Sequence, residues 1–237
     1  MNVTLLAHTP NPERLVATAA RLCYSADDVE IIMDGMCDND AEKQIKLLQS
    51  IGHESPIEHV SFTFAIEGVS RSLLAQITRH RLASFSVRSQ RYVSMSNSDY
   101  VTPDAIESDT LIDSLYDAFM KTSNDIYKQI SDRLQLKYIE NGMDPKSATK
   151  KAIEDARYVL PNATTTAMIV TMNARELMHF FRLRCCNRAQ WEIREVADEM
   201  LRLCQEVAPT LFDGAGAPCV SGNCPEGRMS CGKPRKA

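Results

Sequence analysis

A chain of 237 residues, 44% hydrophobic and 24% charged, can bury one substantial core or two small ones, as ordinary globular proteins do. Its net charge of -4 and aromatic content of 6% exclude a general nucleic-acid binder, which needs basic stripes interleaved with rings. No run of eighteen apolar residues exists, so no membrane span is expected. The start MNVTLLAHTPNPERL also lacks the basic and apolar parts of an export signal, so a cytoplasmic protein is expected, with its cysteines as free thiols or metal ligands.

Val3, Leu5 and Ala7 alternate with Thr4, Leu6 and His8, which predicts a short edge strand. Asn11 and Pro12 are N-cap and N1 residues for a helix through Leu15, Ala19, Leu22 and Cys23. Residues 24–38 are acidic and read as a loop. Asn39 with Glu42 resembles a capping box, opening a helix with Ile45, Leu48 and Ile51 on its buried stripe. Gly52 closes it in the left-handed conformation that glycine adopts without steric cost.

His53-Glu54-Ser55-Pro56-Ile57-Glu58-His59 reads as an exposed bend, because Pro56 disfavours a helical Ser55. Its histidines are not four apart as on a zincin helix, so it is read as carrying polar groups into a ligand pocket rather than a metal. Val60, Phe62, Phe64 and Ile66 then alternate with Ser61, Thr63, Ala65 and Glu67 in a strand that Gly68 is expected to end. Ser70 can cap the next helix, on which Gln76, Arg79 and His80 would share a face.

Arg79 to Arg91, RHRLASFSVRSQR, holds four arginines, a histidine and three serines, with no acidic residue between Glu67 and Asp99. Guanidinium groups are costly to desolvate unpaired, and their planar fork suits phosphate. After Arg81 the pattern turns extended, which at period two would put Val87, Ser89 and Arg91 on one side.

Pro103 breaks the chain, and one or two long helices are expected from Ser108 to about Glu140, stopped by Asn141-Gly142. Asp144-Pro145 restarts a helix that carries Arg157 near its end. Residues 164–171 read as a strand, and Asn173 with Glu176 resembles a second capping box. On the helix that follows, Arg175, His179 and Arg182 share a face, whereas Arg184 lies about half a revolution from Arg175. Either this helix breaks near Cys185-Cys186-Asn187, or its two faces serve different ligands or different subunits' sites. Trp191 to Val207 predicts an amphipathic helix, with Ile193, Val196, Met200, Leu203 and Val207 inside and Arg194, Asp198 and Arg202 solvated. From Asp213 the chain is rich in Gly, Pro and Cys. Cys219, Cys224 and Cys231 lack the two-residue spacing of a zinc knuckle, so no metal is expected; a site there would need a fourth ligand, such as Cys204.

Arg79-His80-Arg81, seven residues and then Ser89 resembles the signature of the flavin-dependent thymidylate synthases. GHESPIEH (52–59), FTF (62–64), ARYVLP (156–161), MNAR (172–175) and RAQWEI (188–193) resemble family segments in family order. The resemblance covers residues 1–212 and leaves 213–237 as a tail. It implies an α/β (α+β) fold, a central sheet flanked by helices with a long helical insertion, in a homotetramer whose active sites are shared between subunits.

It also implies reductive methylation of dUMP to dTMP, with 5,10-methylenetetrahydrofolate as carbon donor and NADPH-reduced FAD as hydride donor. Family positions for FAD match Ser55, Glu58, Arg79, His80, Arg81, Val87, Asn173, Arg175 and His179; those for dUMP match Gln76, Arg79, Ser89, Gln90, Arg91, Arg157 and Arg184. Arg184 matches the arginine that stabilises ionisation of the pyrimidine, and His53 a histidine near flavin and folate. Ser89 has no sequence-adjacent histidine to activate it, so it is assigned to polarising the pyrimidine rather than attacking it. Val87 stands where relatives often carry Glu or Gln, and Arg188 where some carry His. No GxGxxG occurs, so a Rossmann-type site is not expected. The flavin-free thymidylate synthase signature, a cysteine followed by histidine, is absent at Pro218-Cys219-Val220.

Overall fold

The computed structural model describes residues 1–235. Four strands, β1 (Asn2–His8), β2 (Ser61–Ser70), β3 (Ala83–Val87) and β4 (Thr165–Asn173), form one sheet in the order β1-β2-β4-β3. The sheet is antiparallel and, among the described residues, combined with ten α-helices, so the α/β expectation holds, with β1 on an edge. The chain divides into two compact units, and β2, β3 and β4 each pass from one into the other. Unit one is Met1, Glu67–Ala75 and Ser86–Met168; unit two is Asn2–Ile66, Gln76–Phe85 and the chain from Ile169 onward.

In unit one, α6 (Thr110–Glu140) is a single helix of 31 residues, followed by α7 (Pro145–Ala156). A short α5 (Asp104–Glu107) precedes them. The Asp109 carboxylate accepts from the Leu111 and Ile112 amides at the start of α6, and Asp144 accepts from Ser147 N at 3.0 Å at the start of α7. Each satisfies amides that have no partner inside the helix. Met95, Tyr127, Ile153 and Ala156 form the buried cluster between these segments. Tyr127 is fully buried, and its hydroxyl accepts from Met95 N at 3.2 Å, so no polar atom is stranded there.

In unit two, α1 (Pro12–Leu22), α2 (Val29–Gly35) and α3 (Asp38–Ile51) pack around Ala17, Ile32, Met36 and Ala41. Val60, Phe62, Phe64 and Ile66 are fully buried, as their alternation requires. The Phe62 ring meets Phe212 edge-on at 5.4 Å, and Phe212 meets Phe181 at 6.0 Å. Such rings bury large apolar areas, worth roughly 1.5–3 kcal/mol each. Helices α8 (Ala174–Arg184) and α9 (Trp191–Val207) add Leu177, Phe180, Ile193, Val196 and Met200 to the same core.

Several local expectations are corrected. Asn11 is the N-cap of α1 with Pro12 at its start as read, but it sits in the left-handed region at φ 45 and its side chain makes no capping hydrogen bond. Residues 24–38 are not all loop, since they contain α2. Helix α3 starts at Asp38 after Cys37, so Asn39 lies inside the first turn and caps nothing. Gly68 does not end β2; it takes φ 67 inside the strand, which runs on to Ser70. Gly52 does close α3 at φ 67, and Ser70 Oγ does accept from Leu73 N at 3.0 Å. Arg202 pairs with Glu199 and Glu206 rather than forming a row with Asp198, and Cys204, not Leu203, is the fully buried residue near the end of α9.

Candidate active site

Helix α4 (Arg71–Ile77) ends before Arg79 and His80, so the single polar face expected for Gln76, Arg79 and His80 does not exist. The turn that follows separates the two: Arg79 is exposed and His80 is buried. At Asn173 the cap forms as read, its Oδ1 accepting from Glu176 N at 2.9 Å. The Glu176 side chain, however, does not return to the cap. It is buried, and its Oε1 accepts from His80 Nδ1 at 3.0 Å.

Arg184 Nε donates to His80 Nε2 at 3.1 Å. A nitrogen that accepts from a guanidinium carries no proton, so this network assigns the His80 proton to Nδ1, facing Glu176. The imidazole is thus held neutral between a carboxylate and a guanidinium. Its pKa lies below the ordinary 6.5, chiefly because burial penalises the charged ring; Glu176 opposes that and Arg184 adds to it. Arg184 is itself lowered from the usual guanidinium value by burial and by the charge of Arg79. Helix α8 runs unbroken to Arg184, and Cys185 is its C-cap. The helix does end at Cys185, one of the two alternatives, but Arg184 still lies within it, so that end does not bring Arg175 and Arg184 to one face.

Arg175 faces carboxylates. Its Nε donates to Glu54 at 3.1 Å, and its Nη1 is bonded to Glu58. Glu58 lies in a 3-10 helix, Ser55–His59, which Glu54 immediately precedes, where an exposed bend rather than a helix is expected. His53 Nε2 and Ser55 Oγ lie 3.1 Å apart there. Glu54, Glu58, Asn173, Arg175, His179 and Arg182 line a cavity of about 620 Å³, with Leu82, Glu176 and Met178. His179 and Arg182 also line a second cavity of about 560 Å³, together with Arg184, Arg188 and residues of the tail. Arg81 lies exposed just before β3.

The remaining expected residues belong to unit one. Val87 is the last residue of β3, and Arg88 N donates to Ala167 O at 2.9 Å. Ser89, Gln90 and Arg91 then form a turn, not a continued strand, so the common side expected for Val87, Ser89 and Arg91 is not built. Ser89 Oγ accepts from Arg91 N at 3.2 Å. Arg91 is neutralised by Glu154, with Nε–Oε1 at 2.8 Å and Nη2–Oε2 at 3.3 Å. Sequence-local acids are absent as read; a helix 63 residues away supplies one. Arg157 stacks over Tyr158 at 5.8 Å and depresses the pKa of Arg71, behind burial as the main cause.

Among the described residues, Arg79, Arg81, Arg88, Arg157 and Arg184 have no carboxylate partner, whereas Arg91 and Arg175 do. Sequence reading missed Glu154, and it named Glu176, Glu54 and Arg182 without giving them a part in the site. For Glu176 a signal existed: it stands four residues before the buried Phe180, and a carboxylate on an apolar stripe needs a partner. Cys204 is buried in the core and absent from the lining of the tail cavity, so it is no fourth ligand there. Among the described residues, no three metal-ligating side chains are gathered into a coordination group.

Residues 4–210 match the family described as "Thymidylate synthase complementing protein". The chain is 55% identical to a flavin-dependent thymidylate synthase of Clostridium tetani, over 98% of this chain and 94% of that protein. It is 50% identical to one of Nitratidesulfovibrio vulgaris and 45% identical to one of Geobacter sulfurreducens, each with 98% and 94% coverage. A match of this depth along nearly the whole length leaves one conclusion: the chain is an enzyme that belongs to the flavin-dependent thymidylate synthase family.

Proposed function

We propose that this chain converts dUMP to dTMP, with FAD as its resident cofactor and NADPH and 5,10-methylenetetrahydrofolate as co-substrates. The observation that carries the reading is the line from buried Glu176 and His80 to half-buried Arg184. It spends a carboxylate and an imidazole on aiming one guanidinium that no carboxylate neutralises. A half-buried, preorganised positive charge stabilises negative charge that appears on a bound ring, as an oxyanion hole does. Uracil C5 becomes nucleophilic when N3 is ionised, so Arg184 is assigned to that ionisation. His80 and Glu176 are assigned to positioning Arg184.

The residues beside the larger cavity fit a flavin dinucleotide. Arg175, Arg182 and His179 offer cationic or donor groups for a pyrophosphate, and Asn173 a neutral polar contact. Ser55, Glu58, Arg79, His80 and Arg81 complete the proposed FAD set; Val87 could contribute only its backbone, and so could His80, whose two ring nitrogens are taken by Glu176 and Arg184. When bound, FAD supplies the hydride that reduces the transferred one-carbon unit to methyl. Glu54 and Glu58 hold Arg175 in place.

For dUMP we assign Gln76, Arg79, Ser89, Gln90, Arg91, Arg157 and Arg184. Ser89 orients the pyrimidine, since no base lies hydrogen-bonded to its hydroxyl among the described contacts. Arg91 must exchange Glu154 for phosphate, which an exposed ion pair allows at little cost. His53 is assigned to the folate side. The catalytic part is taken as residues 1–212, and the enzyme as a cytoplasmic homotetramer whose sites draw on several subunits; no described helix is long and apolar enough to cross a membrane. The test is a flavin spectrum of the purified protein, followed under anaerobic reduction on adding dUMP and methylenetetrahydrofolate. Reoxidation with dTMP formation is expected. A colourless protein that takes up no FAD, or a bound flavin indifferent to dUMP, overturns the reading.

A further inference from the structure

A guanidinium taken partly out of water carries a desolvation cost that a counter-ion normally offsets. Arg71 and Arg157, both in unit one, are half-buried, and among the described residues neither has a carboxylate partner. The acids nearest Arg157 in sequence are spent elsewhere. Glu154 pairs with Arg91 at 2.8 Å, and Asp155 accepts from the Tyr138 hydroxyl at 2.6 Å.

The backbone brings these two arginines together. Arg71 N donates to Thr164 O and Ser72 N to Asn162 O, each at 3.1 Å, so the start of α4 lies on the connection that leads from Arg157 into β4. That connection is itself tight: Leu160 N donates to Arg157 O at 3.1 Å and Thr164 N to Pro161 O at 3.0 Å. The Arg157 guanidinium lies over the Tyr158 ring at 5.8 Å, which helps to fix its plane. Burial, and then the charge of Arg157, pushes the Arg71 guanidinium below its ordinary value, so the two positive charges act on each other. Like charges held together in a half-buried place oppose folding, and a bound anion relieves them.

We propose that Arg71 is a further substrate-binding residue, which grips the phosphate of the nucleotide together with Arg157. This rests on the dUMP reading above and adds a residue that none of the matched positions includes. A phosphate monoester is close to a dianion at neutral pH and has three free acceptor oxygens. Two guanidinium forks match that charge and those oxygens. Arg91 is already neutralised by Glu154, so Arg71, not Arg91, is the cation that Arg157 has beside it before substrate arrives. Arg91 joins the phosphate only on releasing Glu154.

Binding is measured by calorimetry on the FAD-loaded protein, with dUMP and separately with deoxyuridine, which lacks the phosphate. Arg71→Gln should weaken dUMP about tenfold to a hundredfold, the usual worth of a charge-assisted hydrogen bond, and leave deoxyuridine unchanged. KM for dUMP should rise by the same factor with kcat little altered, as for an interaction shared by ground and transition states. Arg71→Lys keeps the charge but loses the fork, and should fall between the two. Without nucleotide, Arg71→Gln should unfold at the same temperature as the unmutated protein or higher, because a repulsion is removed. Inorganic phosphate should raise the unfolding temperature of the unmutated protein more than that of the variant. Unchanged dUMP affinity in Arg71→Gln, an equal loss for deoxyuridine, or a lower unfolding temperature without nucleotide would each overturn this inference alone. An FAD-loaded, unmutated protein that binds no dUMP would overturn the reading beneath it as well.

Discussion

Glu176, His80 and Arg184 are each unremarkable by residue type, and their meaning lies in the order of donors and acceptors. Arg184 can only donate, so His80 Nε2 must accept and Nδ1 must hold the proton that Glu176 receives. Removing Glu176 as Glu176→Ala leaves a buried N–H without a partner, expected to cost about 1–3 kcal/mol in urea unfolding. A loss below half a kcal/mol would show that water replaces the carboxylate. Arg184→Ala should lower dTMP formation by about 10²–10³, the usual cost of removing a preorganised charge, while the flavin spectrum stays intact. Undiminished turnover would remove Arg184 from the chemistry.

The depressed pKa of His80 has a pH consequence at the same scale. Because the folded protein disfavours the imidazolium, the unfolded chain binds the proton first as pH falls. The stabilising contribution is therefore complete above the ordinary value of 6.5 and is lost as pH drops from there towards the lower folded value. Thermal unfolding at about pH 7.5 and about pH 5.5, on either side of the ordinary imidazole pKa, should show a larger loss for the unmutated protein than for His80→Gln. Equal losses would mean that other groups set the acid limit.

At the scale of elements, α8 decides how the site is divided. It is unbroken to its last residue, and Arg175 meets Glu54 and Glu58 while Arg184 meets His80. Its first turn depends on Asn173, whose Oδ1 satisfies the Glu176 amide. Asn173→Ala should destabilise the protein by about 1 kcal/mol through the lost cap. It should also weaken FAD retention if Asn173 touches the flavin; unchanged FAD affinity would leave it a structural cap alone. The capping residues of α7 and α8 were legible because a cap is a local contact within three residues. The ends of α4 and β3 were not, because the chain there leaves its repeat to satisfy partners far away in sequence.

At the scale of the whole molecule, α6 leaves Leu111, Leu115 and Phe119 at least 60% exposed. Exposed apolar side chains repeating along one stretch of helix are the kind of surface that the proposed homotetramer would cover. Light scattering in solution should give a mass near four times 26.5 kDa, and Leu115→Glu/Phe119→Glu should reduce it. A monomer at micromolar concentration would contradict the shared-site assembly.

The sequence by itself determined the periodic and the local. The alternation from Val60 to Ile66, the β-branched strand ahead of Asn173, the caps at Asp144 and Asn173, the long helix before Asn141 and the ordered family segments all follow from neighbours along the chain. Tertiary structure alone decided which charges are satisfied. Glu154 lies 63 residues from Arg91, Glu54 lies 121 from Arg175, and Glu176 lies 96 from His80. No spacing rule reaches across such distances: whether a guanidinium is neutralised, or left to hold an anion, depends on where folding carries a carboxylate.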